Sequence, residues 1–67
     1  MNELYNLAIN LKQLRKQFGY TQGKVAEALG ITYQSYRAYE CGLTVPTLNN
    51  FIKLAKFYDV SYDELLN

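Results

Sequence analysis

The first eighteen residues repeat apolar side chains at helical spacing. Leu4, Leu7, Ala8, Leu11, Leu14 and Phe18 fall on one helix face, with polar residues between them. Gly19 follows, a residue suited to ending a helix. The pattern predicts a first helix over about residues 3–18, with Tyr5 and Ile9 off the apolar face and exposed. A shorter pattern comes next. Thr21 fits an N-cap, Val25, Ala26 and Leu29 make an inward face, and Gly30 ends the run. Thr32 then caps a third helix over about residues 33–40, which Gly42 ends. Pro46 disfavours helical geometry at Val45, so residues 42–47 are a loop. Thr47 caps a fourth helix over about residues 48–58, with Leu48, Phe51, Ile52, Leu54, Ala55 and Tyr58 as its apolar positions. Ser61 and Glu64 have capping-box spacing and open a one-turn helix, Tyr62–Leu66. No stretch keeps a period of two long enough for a strand. The expected fold class is all-α: five short helices in a single domain, residues 1–67.

Within the third helix the tyrosines at 33, 36 and 39 do not form one stripe. At about 100° per residue, Tyr36 and Tyr39 share a face with Ser35 and Glu40. Gln34, Arg37, Ala38 and Cys41 take the opposite face, with Tyr33 at its N-terminal edge. Tyr36 and Tyr39 are expected in the core, against Val25, Leu29 and the fourth helix. Each buried hydroxyl then needs a hydrogen-bond partner, which the spacing does not identify.

Composition narrows the function classes. A chain of 67 residues buries a small fraction of its surface. Cys41 is the lone cysteine, so no intrachain disulfide is available. With no histidine as well, a metal site is not expected. Dimerisation is one way to add buried area. No apolar run is long enough to span a membrane, and MNELYNLAIN lacks the basic and apolar regions of a secretory signal. A reduced, cytoplasmic protein is expected. All seven basic residues and three of the six acidic ones lie in residues 1–56; the other three acidic residues lie in 57–67. A mildly basic body with an acidic tail is compatible with a polyanion partner and equally with ordinary solvated faces. No nucleophile–base pair is apparent, so neither an enzyme nor a cofactor is expected.

The second and third helices are separated only by Gly30, Ile31 and Thr32. That is helix-turn-helix spacing, which also occurs in proteins that bind no DNA. The larger pattern is more specific. LKQLRKQFGYTQ, VAEALGIT, YECG, VPTLNNFIKLAKFYDVS and YDELL occur in this order between Leu11 and Leu66. Over that span the chain resembles the phage repressor/Cro type, or XRE type, of helix-turn-helix domain. The resemblance implies a lambda-repressor-like fold with its central motif at about residues 22–41. It implies double-stranded DNA as partner, a homodimer, and transcriptional repression with the third helix as the reader.

The side chains on the polar face suit base reading. Gln34 can pair with adenine, Arg37 with guanine or a phosphate, and Ala38 offers only apolar contact to a thymine methyl. Relatives often carry a polar reader where Ala38 stands, and a long polar reader where Tyr33 stands. The resemblance assigns Gln22 to a phosphate, where free helix N-terminal amides also favour an anion. Gly23 departs from the usual charged residue or alanine; either it permits close phosphate approach or it carries no function. Lys12 and Lys24, on flanking helix faces, fit phosphate contacts only. Arg15 and Glu40 occupy the positions of an ion pair between the first and third helices.

One departure concerns affinity. The loop after the third helix is often basic in relatives, but here it is Gly42-Leu43-Thr44-Val45-Pro46. Thr44 and backbone amides are the remaining phosphate donors there. The resemblance places Leu43, Val45, Tyr62 and Leu66 at a dimer interface. The alternative is a protein-interaction module, such as an antitoxin whose main partner is another protein; exposed Tyr5, Ile9 and Phe57 favour it.

Overall fold

Four hydroxyl side chains set where helices begin. Thr21 accepts the amide of Lys24, Thr32 that of Ser35, Thr47 that of Asn50 and Ser61 that of Glu64. Each cap satisfies an amide that the helix itself leaves free. In the computed structural model, which describes residues 3–67, the helices are α1 (Glu3–Phe18), α2 (Gln22–Leu29), α3 (Tyr33–Cys41), α4 (Leu48–Tyr58) and α5 (Tyr62–Leu66). α3 runs one residue further than the spacing predicts, to Cys41. Gly30 and Gly42 end α2 and α3 in the left-handed region, at φ 72° and 75°. α4 ends the same way without glycine, on Asp59 at φ 56°, a residue type that tolerates this geometry.

α1 packs on α3 and α5, α2 on α3 and α4, and α4 on α5. The shared core holds Leu7 and Leu11 of α1, Val25 and Leu29 of α2, Tyr36 and Tyr39 of α3, Leu54 and Tyr58 of α4, and Leu65 of α5. Both tyrosine hydroxyls find partners. Tyr36 Oη lies 2.8 Å from Tyr58 Oη, and Tyr39 Oη accepts the Asn50 amide at 3.1 Å. α5 is tied to α1 by polar bonds as well as by Leu65. Asn6 donates to the Leu66 carbonyl, and Asn10 to the carbonyls of Glu64 and Leu65.

Three apolar positions depart from the expected inward face. Leu4 is 55% exposed, Phe18 44% and Leu48 74%. Leu4 and Leu48 begin their helices beyond the edge of the core, and both line a rim groove with Leu7, Val45, Pro46 and Phe51. Phe18, at the last position of α1, turns its ring against Tyr20 and Tyr58 and leaves the rest to solvent. Tyr5 and Ile9 are exposed, and Phe57 is half-buried.

Candidate nucleic-acid interface

α3 is anchored by its inner face. Tyr36 is fully buried, and Tyr39 and Glu40 are 7% and 8% exposed. Glu40 is the charged member of that face. Arg15 Nε donates to Glu40 Oε2 at 2.7 Å, and Arg15 Nη2 to Oε1 at 3.0 Å. The third Arg15 nitrogen, Nη1, donates to the Tyr20 carbonyl at 3.0 Å, so the guanidinium also fixes the turn before α2. Gln22 Nε2 donates to Glu40 Oε1 at 3.0 Å. Burial alone pushes the Glu40 carboxyl up. The hydrogen bonds from Arg15, Tyr36 and Gln22 outweigh it and hold the group below its ordinary range. Among the described residues no buried side-chain polar atom lacks a partner. Three elements therefore meet on one carboxylate: α1 through Arg15, the first residue of α2 through Gln22, and α3 through Glu40 itself.

The outer face of α3 is free. Tyr33, Gln34, Arg37 and Cys41 are exposed, and Ala38 is half-buried. Ala38 is limited by its surroundings as well as by its methyl group. Its carbonyl takes the amides of Leu43 at 3.0 Å and Thr44 at 3.5 Å as the chain turns into the loop. The N-terminal turns of α2 and α3 both follow extended threonine caps, and each cap occupies only one of the free amides. The others remain donors for an anion.

The residues assigned to phosphate fare differently. Gln22 is half-buried and commits one amide hydrogen to Glu40, an attachment that helical spacing alone does not reveal. Gly23 is exposed, and a Cβ there would meet nothing within 4 Å, so nothing inside the chain requires glycine. Thr44 is exposed, but its amide faces back to Ala38. Of the residues assigned to a dimer contact, Val45 and Leu66 line the rim groove, and Tyr62 stacks on Phe51 with ring centroids 5.4 Å apart. Leu43 is 73% exposed but is not part of that groove. Lys16, unremarked by helical periodicity, shares a second groove with Lys12 beside the end of α3. Their one-turn spacing on the row next to Arg15 is the signal that could have found it. Among the described residues there is no cluster of three potential metal ligands, and no helix is long and apolar enough to cross a membrane.

Residues 11–65 match the family described as Helix-turn-helix. The chain is 40% identical over 55 residues to the cryptic phage CTXphi transcriptional repressor RstR of Vibrio cholerae serotype O1, covering 82% of this chain and 49% of RstR. It is 46% identical over 57 residues to the uncharacterized HTH-type transcriptional regulator YqaE of Bacillus subtilis, covering 85% of this chain and 49% of YqaE. It is 36% identical over 55 residues to the uncharacterized HTH-type transcriptional regulator YgzD of Bacillus subtilis, covering 82% of this chain and 83% of YgzD. The chain thus spans about half the length of the first two relatives and most of the third.

Proposed function

The chain belongs to the XRE-type helix-turn-helix family, and from that premise we propose that it is a sequence-specific double-stranded DNA-binding transcriptional regulator, acting as a repressor. The observation that carries this reading is the division of α3: an inner face locked by Tyr36, Tyr39 and Glu40, and an outer face presenting Tyr33, Gln34 and Arg37. A helix held this way enters the major groove as a rigid body, with its N-terminal residues at the base edges. Gln34 then reads adenine, and Arg37 reads guanine or adds a phosphate contact. Tyr33 packs its ring on a sugar or thymine methyl, and Ala38 gives apolar contact at most. Gln22, with Gly23 beside it, offers its remaining amide hydrogen and the α2 amides to a phosphate. Thr44 contributes only its hydroxyl.

The regulator acts as a homodimer. The rim groove formed by Leu4, Val45, Leu48, Phe51 and Leu66, with a volume of about 310 Å³, is the surface for the second copy. The domain measures 29 Å along its longest axis. A dimer reading two half-sites must set its α3 helices about one DNA turn apart, ~34 Å. Sedimentation at tens of micromolar, with and without duplex, tests this. Leu48→Glu should abolish the dimer, whereas a monomer under both conditions for the unsubstituted chain rules it out. DNA binding itself is tested by fluorescence anisotropy on a duplex selected from a random library and on random duplex. The reading expects tighter binding to the selected duplex, and equal affinity for the two contradicts sequence reading.

A further inference from the structure

The basic side chains differ in how free they are. Arg15 is held by Glu40 and the Tyr20 carbonyl. Lys53 reaches the Leu29 carbonyl at 3.5 Å, and with Lys56 it lines a groove between α2 and α4 that no residue of α3 enters. Lys12 and Lys16 are different. They sit one turn apart on α1, are exposed, and line a groove of about 380 Å³ whose opposite wall is Glu40, Cys41 and Gly42. The acid among the described lining residues, Glu40, is already neutralised by Arg15. No carboxylate among the described residues pairs with either lysine. The groove meets the reading face of α3 at Cys41, which lies between Arg37 and Gln34 on the helical wheel.

The loop beyond Gly42 shows the complementary lack. Residues 42–47 carry no basic side chain. The amides of Gly42, Leu43 and Thr44 all turn inward, onto the carbonyls of Tyr39 and Ala38. A DNA strand passing the C-terminal end of α3 finds no cation on the loop side and two unpaired cations on the α1 side.

We propose that Lys12 and Lys16 form a subsite for two DNA backbone phosphates, which replaces the phosphate contacts the α3–α4 loop lacks. It rests on the DNA-binding reading above. Side chains four residues apart on a helix are about 5–6 Å apart at Cβ, and two flexible lysine stems spread from there to successive phosphates of one strand. Each phosphate neutralised releases condensed counterions and adds about 0.9 to the slope of log affinity against log salt. Two contacts therefore account for about 1.8 of that slope. These contacts carry no sequence information.

The experiment measures salt slopes by fluorescence anisotropy on the selected duplex and on random duplex. It compares the unsubstituted chain, a Lys12→Gln/Lys16→Gln variant, and a Lys53→Gln/Lys56→Gln variant with the same loss of charge. Melting curves establish that each is folded at the titration temperature. The expected result is a slope lower by about 1.8 for Lys12→Gln/Lys16→Gln on both duplexes, with their affinity ratio unchanged, and a change below about half a unit for the control pair. Equal slope losses for the two variants overturn the proposal, since net charge alone would explain them. An unchanged slope for Lys12→Gln/Lys16→Gln, while the unsubstituted chain binds, also overturns it and leaves the DNA-binding reading intact. No duplex binding by the unsubstituted chain overturns both.

Discussion

Arg15→Met should reverse how the domain responds to acid. Methionine keeps most of the arginine stem but removes both hydrogen bonds to Glu40, at 2.7 and 3.0 Å, and the bond to the Tyr20 carbonyl. The Glu40 side chain is 2% exposed and the Arg15 side chain 13%, so the carboxylate left behind stays out of water. Breaking one side of a buried pair costs about 3–5 kcal/mol. Gln22 still donates to Glu40, which favours the lower end, about 3 kcal/mol. For a domain of this size each kcal/mol shifts Tm by roughly 4–8 °C, so the variant should melt roughly 12–24 °C lower. An exposed pair would give only about 0–1 kcal/mol.

The pH dependence separates these cases more sharply than the magnitude. In the unsubstituted chain the Glu40 carboxyl is held below its ordinary range. Its contribution is therefore present above the unfolded pKa, about 4.3, and is lost as pH falls through the folded value. In Arg15→Met the largest remaining influence is burial, which raises the pKa. A folded pKa above the unfolded one makes the variant gain stability, relative to the unsubstituted chain, as pH falls from about 7 to about 4. The assay is thermal melting followed by helical circular dichroism across that range. Arg15→Met/Glu40→Leu removes both partners and should recover most of the loss. A loss below about 1 kcal/mol, with pH profiles that run parallel, would refute the buried carboxylate.

Two further outcomes follow from the interior. Burial pushes the Tyr58 hydroxyl up to about 12, against the pull of its Tyr36 hydrogen bond, and burial raises Tyr36 as well. Unfolded tyrosines ionise near about pH 10, so stability should hold below that value and fall above it. Tyrosinate absorbance should contain a late component from Tyr36 and Tyr58; a titration without that late component in a still-helical chain would contradict the buried pair. Asn10→Ala removes two bonds to α5 carbonyls and should cost about 1–2 kcal/mol, with faster hydrogen exchange in α5. Unchanged melting would mean that the two Asn10 bonds do not help to hold α5.

Helix boundaries were legible because their causes are local. Thr21, Thr32, Thr47 and Ser61 cap where they stand in the sequence, and Gly30 and Gly42 adopt the left-handed geometry that favours glycine. The end of α4 on Asp59 had no such glycine to announce it. The split of α3 into Tyr36, Tyr39 and Glu40 inside, and Gln34 and Arg37 outside, follows from angular spacing alone. Partners far apart in the chain were less accessible. Tyr36 meets Tyr58, and Gln22 meets Glu40, because of how helices cross, which no periodicity within one helix encodes. Leu4 and Leu48 have the right angular position for the core but the wrong axial one, beyond its edge. The spacing of Lys12 and Lys16 is local to α1, but the end of α3 lies opposite them because of how the two helices cross.

Comparing Gln34→Ala and Arg37→Ala with the unsubstituted chain, on the selected duplex and on random duplex at one salt concentration, tests most directly whether α3 reads sequence. Both side chains are exposed on the outer face of α3, so the fold should survive either change. Loss of Gln34 should cost about 1–3 kcal/mol on the selected duplex, relax preference at one base pair, and leave random duplex nearly unaffected. Arg37→Ala should also weaken the selected duplex more than the random one, with a smaller gap, since its long stem can reach either a guanine or the backbone. If each change lowers affinity equally on both duplexes, α3 is not reading sequence and the account is wrong.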